Sequence, residues 1–219
     1  MRLVFASNNK HKLDEVRAIM PAGIEVLSLR EIGFEQEIEE NGTTLEANSR
    51  IKAETVWEWI SSQKSAVSHS IDGVFADDTG LEIDALDGRP GVYTARWYKR
   101  SEGVKELTNE REIFAANRAK ALRELKGQAN RGAQFKTVVT LIMKQSAVSN
   151  QPSDIQVNGI VRGRIGTEER GEGGFGYDPL FIPEGYDRTF AELPAEVKNS
   201  ISHRARAMEA LVQILHKIA

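Results

Sequence analysis

The chain contains no cysteine, which excludes disulfides, thiolate nucleophiles and zinc–thiolate centres and suits a reducing cytoplasm. No segment approaches the roughly twenty apolar residues of a membrane span. The apolar stretch at the start, Leu3 to Ala6, is short and polar residues follow at once, so it reads as a first strand and not as a signal peptide. Positive charge is not in excess. With 29 Lys and Arg against 32 Asp and Glu the net charge is -3, and the broad basic face that a nucleic-acid backbone demands is not expected. His11, His69 and His216 have no metal-ligand spacing, and the glycines of a Walker phosphate loop are absent. There is no internal repeat, and no Pro/Gly/Ser-rich linker separates two halves of different composition. The 219 residues are therefore read as one domain, 1–219, with two lobes and an ample core.

Among what is present, Gly173-Gly174-Phe175-Gly176-Tyr177-Asp178-Pro179 is the most informative segment. Glycine permits positive φ and close approach of the main chain, and Pro179 keeps the run from becoming a helix. Two aromatic faces and a carboxylate in such a setting suit a planar ring held against backbone, although a tight turn capping a core has the same composition.

Periodicity orders the rest. Leu3 to Ala6 reads as a strand, then Leu13, Val16 and Met20 recur at helical spacing, and Val26 to Leu29 suits a second strand. From Thr44 to about Ile60 the composition is helical, with Leu45, Asn48 and Lys52 on one face. Ser61 to Gly73 reads as a polar surface loop, Val74 to Ala76 as a strand that stops at Asp77-Asp78-Thr79-Gly80, and Leu81 to Leu86 as another. Asp87 to Gly91 has turn chemistry, Thr108 to Lys126 is helical, and Phe135 to Met143 and Ile155 to Ile165 are strands joined by a turn centred on Pro152. Ile201, Ala205, Met208, Val212 and Leu215 mark one closing amphipathic helix. Interspersed helices and strands give an α/β or mixed class around a twisted sheet.

Three polar groups carry chemistry. Ser7-Asn8-Asn9-Lys10-His11-Lys12 lies between a strand and a helix, where N–H donors, the dipole and an ammonium suit a phosphate; a plain capped helix with solvated lysines is the other reading. Glu39, Glu40, Asp77 and Asp78 offer carboxylates for a hard cation or for taking a proton from water, with a solvated acidic surface as the alternative for Glu35 to Glu40. Lys198 and Ser202-His203-Arg204 gather donors where an anion or a carbonyl-bearing base could dock.

Together these segments resemble the inosine triphosphate pyrophosphatase family. The resemblance runs nearly end to end, through Ser7-x-Asn9-x-x-Lys12, Glu39-Glu40-x-Gly42 with Asn48, Ala76-Asp77-Asp78-Thr79-Gly80-Leu81, Pro90-Gly91-Val92-Tyr93-x-Ala95-Arg96, Gly174 to Pro179 and Ser202-His203-Arg204. It implies an α/β fold with a long central mixed sheet flanked by helices, two lobes with a substrate cleft between them, and a cytoplasmic homodimer. It also implies hydrolysis of ITP, dITP and XTP to monophosphate and pyrophosphate with one Mg²⁺ per site. Carried over by position, Ser7, Asn8, Asn9, Lys10, His11 and Lys12 hold the triphosphate with Lys52 near it. Glu39 and Asp78 ligate the metal, Asp78 activates water with Asp77 in support, and Thr79 contacts substrate. Phe175 stacks on the base, and Gly176, Tyr177, Asp178, Lys198, His203 and Arg204 belong to the base pocket. The family often has glycine where Asn8 stands, a residue that tolerates positive φ, and Ser61 to Gly73 is longer than the usual connection. A Maf-like pyrophosphatase acting on pyrimidine or modified nucleotides shares the basic loop and carboxylates but leaves Phe175 to Pro179 and Ser202 to Arg204 unexplained. A non-catalytic nucleotide-binding regulator leaves Glu39, Asp77 and Asp78 unexplained.

Overall fold

A computed structural model describes residues 1–63, 66–100, 107–144 and 154–218; the turn expected around Pro152 lies outside the described residues. The chain opens with β1 (Arg2–Phe5), α1 (Lys10–Ile19) and β2 (Glu25–Ser28). β1 pairs in parallel with β2, and a parallel pair needs the crossover that α1 supplies. α2 (Leu45–Ser62) and the short α3 (Ala66–His69) lead to β3 (Gly73–Ile83), whose first residues pair in parallel with β1. β4 (Pro90–Gly91), α4 (Glu110–Glu124), β5 (Gly132–Met143), β6 (Asp154–Ile165), β7 (Phe181–Pro183), α5 (Ala195–Ile201) and α6 (His203–Ile218) complete the order. The strands pair as β2-β1-β3-β5-β6-β7, with β4 antiparallel on β3 and β7 antiparallel on β6. The sheet is therefore mixed, and the class is α/β.

The chain divides into two compact units. The first comprises Met1–Asp78, Thr137–Gly159 and Arg204–Ala219. Strand alternation builds its core on both faces of the sheet: Val4, Ala6, Val74 and Ala76 pack with Ala53, Val56 and Ile60 of α2, while Leu3, Phe5 and Phe75 pack with Val16 of α1 and Met208, Leu211 and Leu215 of α6. The second unit, Thr79–Lys136 with Ile160–His203, has its own core of Leu81, Trp97, Leu125, Phe135, Tyr177, Phe181, Phe190 and neighbours. No helix among the described residues is long and apolar enough to cross a membrane.

The structure departs from the sequence reading in four places. β3 does not stop at Asp77 but runs unbroken through Asp77-Asp78-Thr79-Gly80 to Ile83, so the two expected strands are one; both aspartates are buried and satisfied by cations and amides, which removes the reason to break the ladder. Ser61 to Gly73 is not simply a loop, because α2 continues to Ser62 and residues 66–69 form α3. The closing helix is two helices, broken at Ser202, whose backbone is extended at φ -66°, ψ 159°. Asn8 has no left-handed backbone, since Asp87 is the one non-glycine among the described residues with positive φ.

Candidate active site

Asn9 caps α1: its side-chain oxygen accepts from the Lys12 backbone N–H at 3.0 Å. The cap fixes the first turn of the helix, where α1 presents its unpaired N–H groups. Ser7 Oγ accepts from the Asn9 N–H at 3.3 Å, while Asn8, Lys10 and His11 are exposed. Lys12 points inward and donates to Asp77 Oδ1 at 2.9 Å.

Thr44 caps α2 by accepting from the Ala47 N–H at 3.1 Å. Asn48 and Lys52, one turn apart on this helix, are both buried and both reach Asp78: Asn48 Nδ2 donates to Oδ2 at 3.3 Å and Lys52 Nζ to Oδ1 at 3.4 Å. Lys52 also donates to Glu40 at 3.0 Å, so two carboxylates meet at one ammonium. Asn48 Oδ1 accepts from the Gly42 N–H at 2.8 Å, tying the acidic segment to the helix. Glu39 is exposed.

On the other side of Asp77, Arg204 Nε donates to Oδ2 at 3.1 Å, and the same guanidinium pairs with Glu15 of α1. Arg204 is almost fully buried and Asp77 completely so. The two neighbouring aspartates thus have opposite surroundings. Burial by itself would push Asp77 up, but Lys12 and Arg204 outweigh it and hold this carboxyl well below the usual range. Burial dominates at Asp78, opposed by Lys52 and Lys12 and reinforced by Glu40 and Asp77, and its proton affinity is raised. Burial lowers Lys12, with Lys52 and Arg204 adding repulsion that the attraction of Asp77 does not overcome. Lys52 is raised, because Asp78 and Glu40 outweigh its own burial. Adjacent acids driven apart in this way are a common arrangement of a proton acceptor beside a fixed anion.

The second unit holds the aromatic segment. Gly174 and Gly176 on either side of Phe175 have φ of 68° and 61°, a conformation available to glycine at little cost. At Gly174 a methyl group would also lie 2.0 Å from Asp178 Oδ2. That carboxylate oxygen accepts from the Phe175 N–H at 2.8 Å and from Lys198 Nζ at 2.7 Å. The Lys198 ammonium sits 5.1 Å from the centre of the Phe175 ring, within cation–π range. Phe175 is half-buried.

The other candidates have structural partners of their own. Tyr177 is a core residue, its hydroxyl donating to the Thr94 carbonyl at 3.2 Å, and burial pushes its phenol far up. His203 is buried and stacks on Phe135 at 4.6 Å. Arg204 faces Asp77 and Glu15 in the first unit, Lys198 lies on α5, and Thr79 is half-buried in β3. Sequence reading missed Glu15, although it lies one turn beyond Lys12 on α1. It also missed Phe114 and Arg118 of α4, which contact Phe175 and Gly176.

The oxygen-rich group around Asp78 fits a hard divalent cation in donor chemistry: two carboxylates already flank one positive charge. Mg²⁺ accepts such a set, since it prefers one or two carboxylates with water and phosphate oxygens for the rest.

Comparison with known proteins identifies the family. The model of the Ham1 family matches residues 3–214. The dITP/XTP pyrophosphatase of Flavobacterium johnsoniae is 41% identical over 215 residues, covering 98% of this chain and 98% of its own length, and that of Bacillus subtilis is 40% identical, covering 97% and 96%. Among solved structures, the Ham1 protein of Staphylococcus aureus superposes with a TM-score of 0.77 at 32% identity, covering 100% of both chains. A HAM1 protein from Coxiella burnetii gives 0.76, also at 32% identity, covering 99% of both chains. The chain belongs to the Ham1 family.

Proposed function

We propose that residues 1–219 form one catalytic domain, a nucleoside triphosphate pyrophosphohydrolase that converts ITP, dITP and XTP to the monophosphate and pyrophosphate and so clears non-standard purines from the nucleotide pool. The observation that carries the reading is the pair Asp77-Asp78. One aspartate is held between Lys12 and Arg204, and the other meets Lys52 and Asn48 with its proton affinity raised by burial. A binding protein has no need for such a division, whereas hydrolysis needs a base and fixed positive charge.

In this reading the triphosphate lies against the Ser7 to Lys12 turn and Lys52, and Asp78 accepts the proton of the attacking water. Asp77 keeps Lys12 oriented, and Thr79 contacts the substrate. Mg²⁺ would be held by Asp78 with a carboxylate of the Glu39-Glu40 pair, and it would neutralise phosphate charge. The base stacks on Phe175, with Gly176, Tyr177, Asp178, Lys198, His203 and Arg204 shaping its surroundings. A 6-keto purine presents an acceptor where adenine presents an amino donor, so ammonium and guanidinium donors favour hypoxanthine and xanthine. The relatives' substrate names support this choice, and the family match favours it over a Maf-like enzyme. The protein is further proposed to act as a homodimer in the cytoplasm.

The test is a comparison of kcat/KM for ITP, XTP, GTP, ATP and UTP with Mg²⁺ present. ITP and XTP are expected to exceed the others by at least tenfold, about the discrimination that 1.4 kcal/mol of differential binding gives. Equal values for all five would contradict the proposal.

A further inference from the structure

Phe175 stands between two glycines of positive φ, and at Gly176 a methyl group would meet nothing within 4 Å. Glycine there serves the backbone conformation alone. Such a pair leaves the ring's orientation loosely fixed unless the main chain is anchored from outside. On the N-terminal side the anchor is Asp178, which accepts from the Phe175 N–H at 2.8 Å. On the C-terminal side it is α4: Arg118 donates to the Gly176 carbonyl at 2.9 Å and pairs with Glu169 at 3.0 Å. One turn earlier on the same helix, Phe114 contacts the Phe175 ring with centroids 6.1 Å apart and planes tilted by 39°. Residues i and i+4 share a helix face, so α4 grips the turn at its ring and at the carbonyl that follows.

We infer that Phe114 and Arg118 are positioning residues for the base: they fix the turn that presents Phe175, and so set how tightly the nucleotide is held without touching the bond that breaks. The inference rests on the reading that the base stacks on Phe175. The guanidinium suits the task because one Nη donates to the carbonyl while Nε lies 3.0 Å from the carboxylate as an ion pair, two contacts from one rigid plane that a lysine's single ammonium provides less well. Its side chain is 15% exposed, shielded enough for the bond to hold the loop.

The experiment is steady-state hydrolysis of ITP by Arg118→Met, Arg118→Lys, Phe114→Leu, Phe175→Ala and the double variant Arg118→Met/Phe175→Ala, with thermal unfolding of each. Arg118→Met and Phe114→Leu are expected to raise KM roughly three- to tenfold, the scale of one lost hydrogen bond or ring contact, with kcat within about twofold. Arg118→Lys should fall between wild type and Arg118→Met. In the Phe175→Ala background the Arg118→Met effect should disappear, since residues acting through one group are not additive. An unchanged KM in both α4 variants, or an Arg118→Met effect that persists at full size without Phe175, overturns the inference. A raised KM in Phe175→Ala alone, with none in the α4 variants, overturns it while leaving base stacking intact. An unchanged KM in Phe175→Ala overturns both. Should Arg118→Met fail to fold, Glu169→Gln releases the guanidinium from outside and carries the same expectation at smaller size.

Discussion

Asp77 and Asp78 are neighbours with different chemistry, and the cause lies in which cations reach each. Asp77 meets Lys12 and Arg204, and Asp78 meets Lys52 and Asn48. Asp78→Asn is therefore expected to lower kcat by roughly 10²–10⁴-fold while keeping ITP affinity, measured calorimetrically, better than Lys12→Ala does. Near-normal turnover in Asp78→Asn would remove it as the base. Asp77 also contributes to folding. Its folded-state affinity for a proton lies below the unfolded value, so its stabilisation is present above about pH 4, its ordinary range, and is lost only as pH falls through the depressed value. Asp77→Asn should cost about 3–5 kcal/mol at pH 7, the usual penalty for breaking a buried pair, and the gap from wild type should narrow only in strong acid. A gap that closed near pH 6 would contradict the assignment. Phe175→Ala is expected to weaken ITP binding by about 1–3 kcal/mol through lost stacking, read as a rise in KM.

At the scale of elements, turns and caps were legible and long-range satisfaction was not. The helices after Asn9 and from Thr44 were legible because apolar spacing and local composition carry that signal, and Asn9 and Thr44 prove to be their caps. Asn48 and Lys52 announced a shared face for the same reason, and that face proves to be the one that meets Asp78. The continuity of β3 was hidden, since Asp-Asp-Thr-Gly is a poor strand sequence and the partners that satisfy Asp77 lie 65 and 127 residues away. The break at Ser202 was hidden because apolar spacing carries on across it. The tight Gly174-to-Pro179 turn was legible from its glycines, but its support from α4 depends on packing that no motif encodes. Gly174→Ala tests that turn: positive φ and the approach of Asp178 Oδ2 make any side chain costly. The expected result is a raised KM for ITP with stability lowered by more than about 1 kcal/mol. Unaltered kinetics would show that the turn does not present the base.

For the whole molecule, the Lys12, Lys52, Asp77 and Asp78 cluster lies in the first unit and the Phe175 turn in the second, each unit with its own core. The mixed sheet and the order of motifs follow the Ham1 family over nearly the full chain, which is why short motifs in the right order carried so much of the reading. Arg204 has partners that the motif does not encode. Its position in the sequence associates it with the base, while in the structure its guanidinium is engaged by Asp77 and Glu15. In the proposed reaction water attacks so that pyrophosphate is released, and the bond that breaks distinguishes this from other nucleotide hydrolysis. Phosphorus NMR of ITP turnover with Mg²⁺ reads that bond directly. Inosine monophosphate and pyrophosphate without orthophosphate are the expected products; inosine diphosphate with orthophosphate would contradict the account.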